Sequence, residues 1–223
     1  MPSDAKLPIV VFGAKRSAQL ARFLLQHDSP HEVIAFCVDA AYRQAESFDG
    51  LPLVDFETLA ASYPPDRVRL LIAIGYQRIN GLRRARYEAA KAQGYAFVSY
   101  VSSRASVWPG LQIGENSVVH EMAVIQPFAT VGDNVIVRSA AHVSHHCRVQ
   151  SHAYIAAQAA LAGATTVGEQ AFVGVGAVLR DQITIAPRSF IGAGAVVTRS
   201  TEEGAAYFGN PARRISRCVE ELT

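Results

Sequence analysis

From residue 107 to residue 197 one aliphatic side chain recurs at every sixth position. Val107, Ile113, Val119, Ile125, Val131, Val137, Val143, Val149, Ile155, Leu161, Val167, Val173, Leu179, Ile185, Ile191 and Val197 keep that phase without a slip. The residue two places earlier is mostly small, as at Ala123, Ala141, Cys147, Ala159 and Ala195, and the residue after is repeatedly glycine, as at Gly114, Gly132, Gly168, Gly174 and Gly192. Such a period belongs neither to a helix nor to a plain strand. It predicts short strands joined by tight corners, each turning one branched side chain inward. Three strands close a triangular coil, so residues eighteen apart stack on successive coils spaced ~4.8 Å. About five coils make a prism roughly 25 Å tall. Glycine after the aliphatic suits a corner with unusual backbone angles or no room for a side chain. An ordinary β-sandwich requires irregular strand lengths, which the constant phase opposes.

The first hundred residues carry a different pattern. An apolar run at 8–12 ends in Gly13, and residues 17–25 read as an amphipathic helix. A second apolar run at 33–38 ends in Asp39, residues 56–63 read as helical, and a third run at 68–74 ends in Gly75. A basic helix follows over 80–93, closed by Gly94 as a C-cap, and residues 95–98 supply a last strand. Alternation of β and α predicts a small parallel sheet with helices on both faces, opening as nucleotide-binding units open. The expected division is an α/β Rossmann-like domain over 1–100, the repeat prism over 101–200, and a loop and short C-terminal helix over 201–223, the helix beginning near Arg213. The first turn, Gly13-Ala14-Lys15-Arg16-Ser17, has one glycine where a dinucleotide loop has three. A helix N-terminus can still hold a phosphate there, with Lys15 and Arg16 adding charge. Asp39 could bind a ribose or a base edge, or be an exposed turn residue.

Composition narrows the class. Half of the 223 residues are hydrophobic, 18% are charged and the formal net charge is +2. That balance gives no reason to invoke nucleic acid or an anionic membrane. Cys37, Cys147 and Cys218 are an odd, widely spaced set with no disulfide framework. With no signal pattern and no long apolar run, the expectation is a cytoplasmic protein without membrane insertion.

Four of the seven histidines, His142, His145, His146 and His152, gather within eleven residues. Val143 points inward, so His145 and His146 fall on the outward arc of that coil. Eighteen positions on are Gly163 and Ala164. A wall with imidazoles below and bare backbone above makes a groove.

The six-residue repeat resembles the left-handed parallel β-helix of hexapeptide-repeat acyltransferases. The order of parts narrows this to the NeuD/PglD-type sugar acyltransferases. The matching pieces are Val11-Phe12-Gly13-Ala14, Val38-Asp39, Ala73-Ile74-Gly75, the pair Asn80 and Arg83, and Phe208-Gly209-Asn210-Pro211-Ala212-Arg213. The resemblance implies a homotrimer with sites between subunits, a nucleotide-linked sugar held by the first domain, and acetyl-CoA or another acyl-CoA held by the prism, with no metal. It places the catalytic histidine on His145, with His146 and Ser144 as its neighbours where the family often has a carboxylate. It maps acyl-CoA contacts onto Gly163, Val175 and Ala193, with Arg199, Pro211 and Arg213 towards the phosphate end. The substrate candidates are Gly13, Lys15, Arg16, Ser17, Asp39, Gly75 and Tyr76, the family's later loop glycines falling on Lys15, Arg16 and Ala18 here, and Tyr154, where the family has a second histidine.

The reaction so implied is attack of an amine or hydroxyl on an acyl thioester. A neutral imidazole removes the acceptor's proton as the tetrahedral intermediate forms, and backbone N–H groups at the bare positions hold the carbonyl oxygen. An N-acyltransferase acting on a nucleotide-linked amino sugar is the leading expectation, with sugar O-acetylation as the alternative. A zinc enzyme of the γ-carbonic-anhydrase kind needs two histidines five apart, and the spacings here are three, one and six. A prism that only binds and oligomerises is the remaining class.

Overall fold

A computed structural model describes residues 8–215 and Val219. The first half is a six-stranded sheet in the order β3-β4-β2-β1-β5-β6. Its strands are β1 (Ile9–Phe12), β2 (Val33–Val38), β3 (Ser47–Phe48), β4 (Leu51–Asp55), β5 (Arg69–Ile72) and β6 (Ala96–Phe97). The apolar run at 8–12 makes β1 the sheet's centre, with Ile9, Val10 and Val11 wholly buried. Helices α1 (Arg16–Asp28), α2 (Leu59–Ser62) and α3 (Gly81–Ala92) complete this half. Pairing is parallel except between β3 and β4, so the sheet is mixed where a parallel one was expected. The β3–β4 hairpin was not anticipated, although its turn, Asp49-Gly50, has positive φ at both residues (50° and 78°), as a two-residue hairpin turn requires. Residues 56–63 form a 3-10 turn and the one-turn α2 rather than a continuous helix.

The second half is the expected prism. Two-residue strands fall on three faces: a first face from Tyr100–Val101 up through Phe190–Ile191, a second from Ser106–Val107 to Val196–Val197, and a third from Gln112–Ile113 to Thr184–Ile185. Each strand pairs in parallel with the strand eighteen residues on, as Val119 with Val137 and Ile125 with Val143. From Val119 upward the every-sixth aliphatics are buried, and with the small residues two places earlier they fill one continuous core. Each such side chain contributes about 1.5–3 kcal/mol relative to exposure.

The corners adopt left-handed backbone mostly without glycine, which takes the seat only at Gly110, Gly176 and Gly194. Asn116, Met122, Phe128, Asn134, Ala140, His146, His152, Gln158, Ala164, Gln170, Gln182 and Arg188 all adopt positive φ, between 53° and 66°. The glycines after the aliphatics serve the other purpose: a Cβ on Gly174 would lie 2.6 Å from the carbonyl oxygen of Ile191 on the next coil.

Above the last coil, Ala206–Phe208 adds to the first face and pairs antiparallel with Arg213–Ile215. That strand stands where the C-terminal helix was expected to begin, because the turn through the cis Asn210-Pro211 bond reverses the chain. The rest of the expected helix lies outside the described residues, apart from Val219. Among the described residues no helix is long and apolar enough to cross a membrane.

Several contacts fix the halves together. The Asp28 carboxylate at the end of α1 accepts from Tyr100 Oη (2.6 Å), Ser102 Oγ (2.9 Å) and the Ser103 N–H (2.9 Å). From α3, wholly buried Arg83 donates to the carbonyls of Asn134 (2.8 Å), His152 (3.0 Å) and Ala153 (3.2 Å) at the third–first edge. Burial lowers its guanidinium to about 9, so it remains charged at neutral pH. Asn80 Nδ2 donates to the Gln170 and Ala171 carbonyls one coil higher, both at 3.3 Å. The Asn80 and Arg83 pair thus holds the α/β half against the prism.

Candidate active site

His145 and His146 occupy the edge between the second and third faces, both exposed. Their positions are pinned from both neighbouring coils. Below, the His145 N–H donates to Gln126 Oε1 (2.9 Å) and the His146 N–H to the Pro127 carbonyl (3.3 Å). Above, the Ala164 N–H donates to the His145 carbonyl at 2.9 Å. The His145 ring lies directly over Gly163: a Cβ there would fall 2.6 Å from Cε1 and 2.8 Å from Nε2. Only a residue without a side chain leaves this imidazole its seat. The two rings meet edge to face, 5.3 Å between centroids, with Nδ1 to Nδ1 at 3.1 Å. The Phe128 ring lies 4.8 Å from His146. Gln126 and Phe128 escaped the sequence reading, although the eighteen-residue offset sets Phe128 one coil below His146 and Gln126 one coil below Ser144. Ser144 is tied in through its backbone, its N–H donating to the Leu161 carbonyl at 3.1 Å.

The remaining predicted residues divide among other places. Val175 and Ala193 stack on the first–second edge, where the Gly194 N–H donates to the Val175 carbonyl at 2.8 Å. One chain therefore does not bring them beside Gly163. Arg199, Pro211 and Arg213 are exposed near the top of the prism. The turn bearing Pro211 closes onto the second face, the Ala212 N–H donating to the Val196 carbonyl at 2.8 Å.

In the α/β half, Gly13 has φ 131° and packs 3.2 Å (as a built Cβ) from the Ala18 side chain, which lets the chain turn tightly from β1 into α1. Lys15, Arg16 and Ser17 line a cavity of about 550 Å³ with Gln19 and Phe48. Asp39 ends β2 already paired, its carboxylate taking Arg86 Nε at 3.0 Å and Nη2 at 2.9 Å. It is neither an exposed turn residue nor free for a ribose without releasing Arg86.

Tyr76, just past Gly75, reaches the prism's first face, 5.5 Å from the Tyr154 ring and 4.8 Å from Phe172. There Tyr154, Phe172, Phe190 and Phe208 form a column of rings 4.8–5.7 Å apart. Their spacing of eighteen residues was a signal in the sequence that went unread. Burial raises the Tyr154 phenol, and Arg138 and Arg83 oppose that rise. Arg138 also donates to the buried His120 at 2.9 Å. Among the described residues no three His, Cys, Asp or Glu side chains gather as metal ligands.

No family model matches the chain, and no curated relative does. Solved structures do. The acetyltransferase domain of PglB from Neisseria gonorrhoeae FA1090 is 30% identical with a TM-score of 0.83, over 93% of this chain and 99% of that one. It has also been solved with acetyl coenzyme A, at 29% identity and a TM-score of 0.84, over 95% and 100% of the two chains. PerB from Caulobacter crescentus, solved with CoA and GDP-perosamine, is 28% identical with a TM-score of 0.84, over 94% and 97%. That organism's perosamine N-acetyltransferase has been solved with the same two ligands after replacement of one histidine by Asn or by Ala. A shared fold, a shared order of parts and this identity across nearly the whole of both chains mean that the chain belongs to the PglD/NeuD-like sugar acyltransferase family.

Proposed function

We propose that the protein transfers the acetyl group of acetyl-CoA to the amine of a nucleotide-linked amino sugar, with His145 as general base. The observation that carries this reading is the His145 imidazole lying over bare Gly163, exposed and fixed from two coils. As the acceptor nitrogen bonds to the thioester carbonyl, its proton passes to Nε2 of His145. Collapse of the tetrahedral intermediate breaks the carbon–sulfur bond, and the thiolate takes that proton back. The related structures, which hold acetyl-CoA, CoA and GDP-perosamine, support the substrate classes.

A triangle sets the second/third edge opposite the first face. His145 and the Tyr76–Tyr154 region therefore lie on opposite sides of one prism. A homotrimer, in which the base of one copy faces the acceptor side of the next, completes the site. The Gly13 turn, with Lys15, Arg16 and Ser17, takes the nucleotide end. Val175, Ala193, Arg199, Pro211 and Arg213 take the acyl-CoA.

The test is release of free thiol from acetyl-CoA against a panel of nucleotide-linked amino sugars. His145→Ala is expected to lower turnover by ~10²–10⁴. Mixing His145→Ala with Tyr154→Ala subunits should restore part of the activity that each lacks. Undiminished turnover in His145→Ala overturns the assignment of the base, and turnover only with hydroxyl acceptors turns the reaction to O-acetylation.

A further inference from the structure

We infer that His146 is the positioning residue for His145: its Nδ1 accepts a hydrogen bond from His145 Nδ1–H and so presents the His145 Nε2 lone pair to the acceptor. The inference rests on His145 being the base, and the variants below separate the two claims. Two imidazole nitrogens 3.1 Å apart need one proton between them. If His145 supplies it, Nε2 of His145 is bare and can take a proton. If His146 supplies it, His145 carries its proton on Nε2 and cannot act as a base. The tautomer of one ring is set by the bond the other nitrogen makes, so this contact decides whether the site is armed.

The geometry favours a support role for His146. Its backbone sits in the left-handed region at φ 60°, which turns its ring along the edge, and Phe128 backs it at 4.8 Å. The residues that meet the pair from the neighbouring coils are Gln126, Pro127 and Phe128 below and Gly163 and Ala164 above, none of them titratable. The nearest charges along the same edge are Arg180 and Asp181, which pair with each other at 3.6 Å. His142 and Arg148 stand on the flanking strands. No carboxylate among the described residues bonds either ring, and the partner of His145 Nδ1 is the His146 imidazole.

The chemistry follows. When Nε2 takes the acceptor's proton, the positive charge spreads to Nδ1–H, and its bond to His146 becomes charge-assisted and stronger. A second proton on the pair occupies both Nδ1 atoms and breaks that bond.

The experiment compares His146→Ala and His146→Asp with the parent protein. Ala140 and Ala164 occupy the same corner conformation, both at φ 57°, so Ala at 146 leaves the backbone unstrained. With His146→Ala, kcat is expected to fall ~10–100-fold, the scale for loss of an orienting partner, with KM for acetyl-CoA within about twofold. The acid limb of the kcat/KM profile should move to lower pH, since the unsupported imidazolium is the stronger acid. His146→Asp should recover kcat to within about tenfold of the parent and move that limb to higher pH, because a carboxylate stabilises the imidazolium. A purely structural role for His146 would not move the two limbs in opposite directions. Parental kcat and pH profile in His146→Ala, or failure of Asp to restore what Ala loses, overturns the inference. Full activity in His145→Ala removes the base itself, and is distinct from either result.

Discussion

His120 shows how one buried side chain couples this fold to pH. It is 4% exposed, its Nε2 accepts from Arg138 at 2.9 Å, and burial, with Arg138 beside it, lowers its pKa to about 4. The unfolded chain binds a proton there near pH 6.5, so between 6.5 and 4 the unfolded state holds more protons. Stability contributed by neutral His120 is complete above pH 6.5 and is lost as the pH falls towards 4. The expected loss by pH 4.5 is about 2–3 kcal/mol. Glu121 is held low by Ser139 Oγ, so its own contribution is lost only as the pH falls through and below the ordinary glutamate range. Urea unfolding of the parent protein and His120→Gln at pH 7 and 4.5 checks it: the variant should lose less between the two. An equal loss would place the sensitivity elsewhere.

At the scale of the coil, two glycines of similar crowding answer differently to the same change. A methyl on Gly163 meets the free end of the His145 ring, whereas a methyl on Gly174 meets backbone of the next coil. Gly163→Ala is expected to leave the melting temperature within a few degrees and to cut turnover at least tenfold, because the imidazole must swing away. Gly174→Ala should cost ~1–3 kcal/mol through overpacking. Thermal unfolding beside turnover separates the cases, and a strongly destabilised Gly163→Ala would refute the first. The stacking of His145 beneath Gly163 was legible because each coil has a fixed length. The corner conformation was not, since beside Asn116, Asn134 and three glycines it rests on Met, Phe, Ala, His, Gln and Arg residues that carry no left-handed signature. In the α/β half the turns misled: residues 56–63 have helical composition, yet only 59–62 form a helix.

For the whole molecule, Arg83 is the decisive side chain. The sequence marked it only as part of the Asn80 and Arg83 pair, and its role was not legible because its partners are backbone carbonyls at 134, 152 and 153. Arg83→Met removes a buried charge but strands those carbonyls in the joint. The expected cost is ~3 kcal/mol, falling on the contact between the halves more than on either core. Calorimetry should then resolve two transitions where the parent protein gives one. A single transition at the parental temperature would show that the other contacts between the halves, the Asp28 joint and the Asn80 bonds among them, suffice without it.

The left-handed corners give the prism the character of a graduated scale. The same backbone seat accepts seven kinds of side chain without altering the coil, so a reactive group can be re-sited by eighteen positions and keep its attitude to the surface. Only its height changes, one notch of ~4.8 Å at a time. From His145 up that edge to Arg199 is three such notches, roughly 14 Å. Chemistry on this scaffold is thus addressed by height, and the reach of an acyl donor could be matched by counting rungs rather than by rebuilding a pocket.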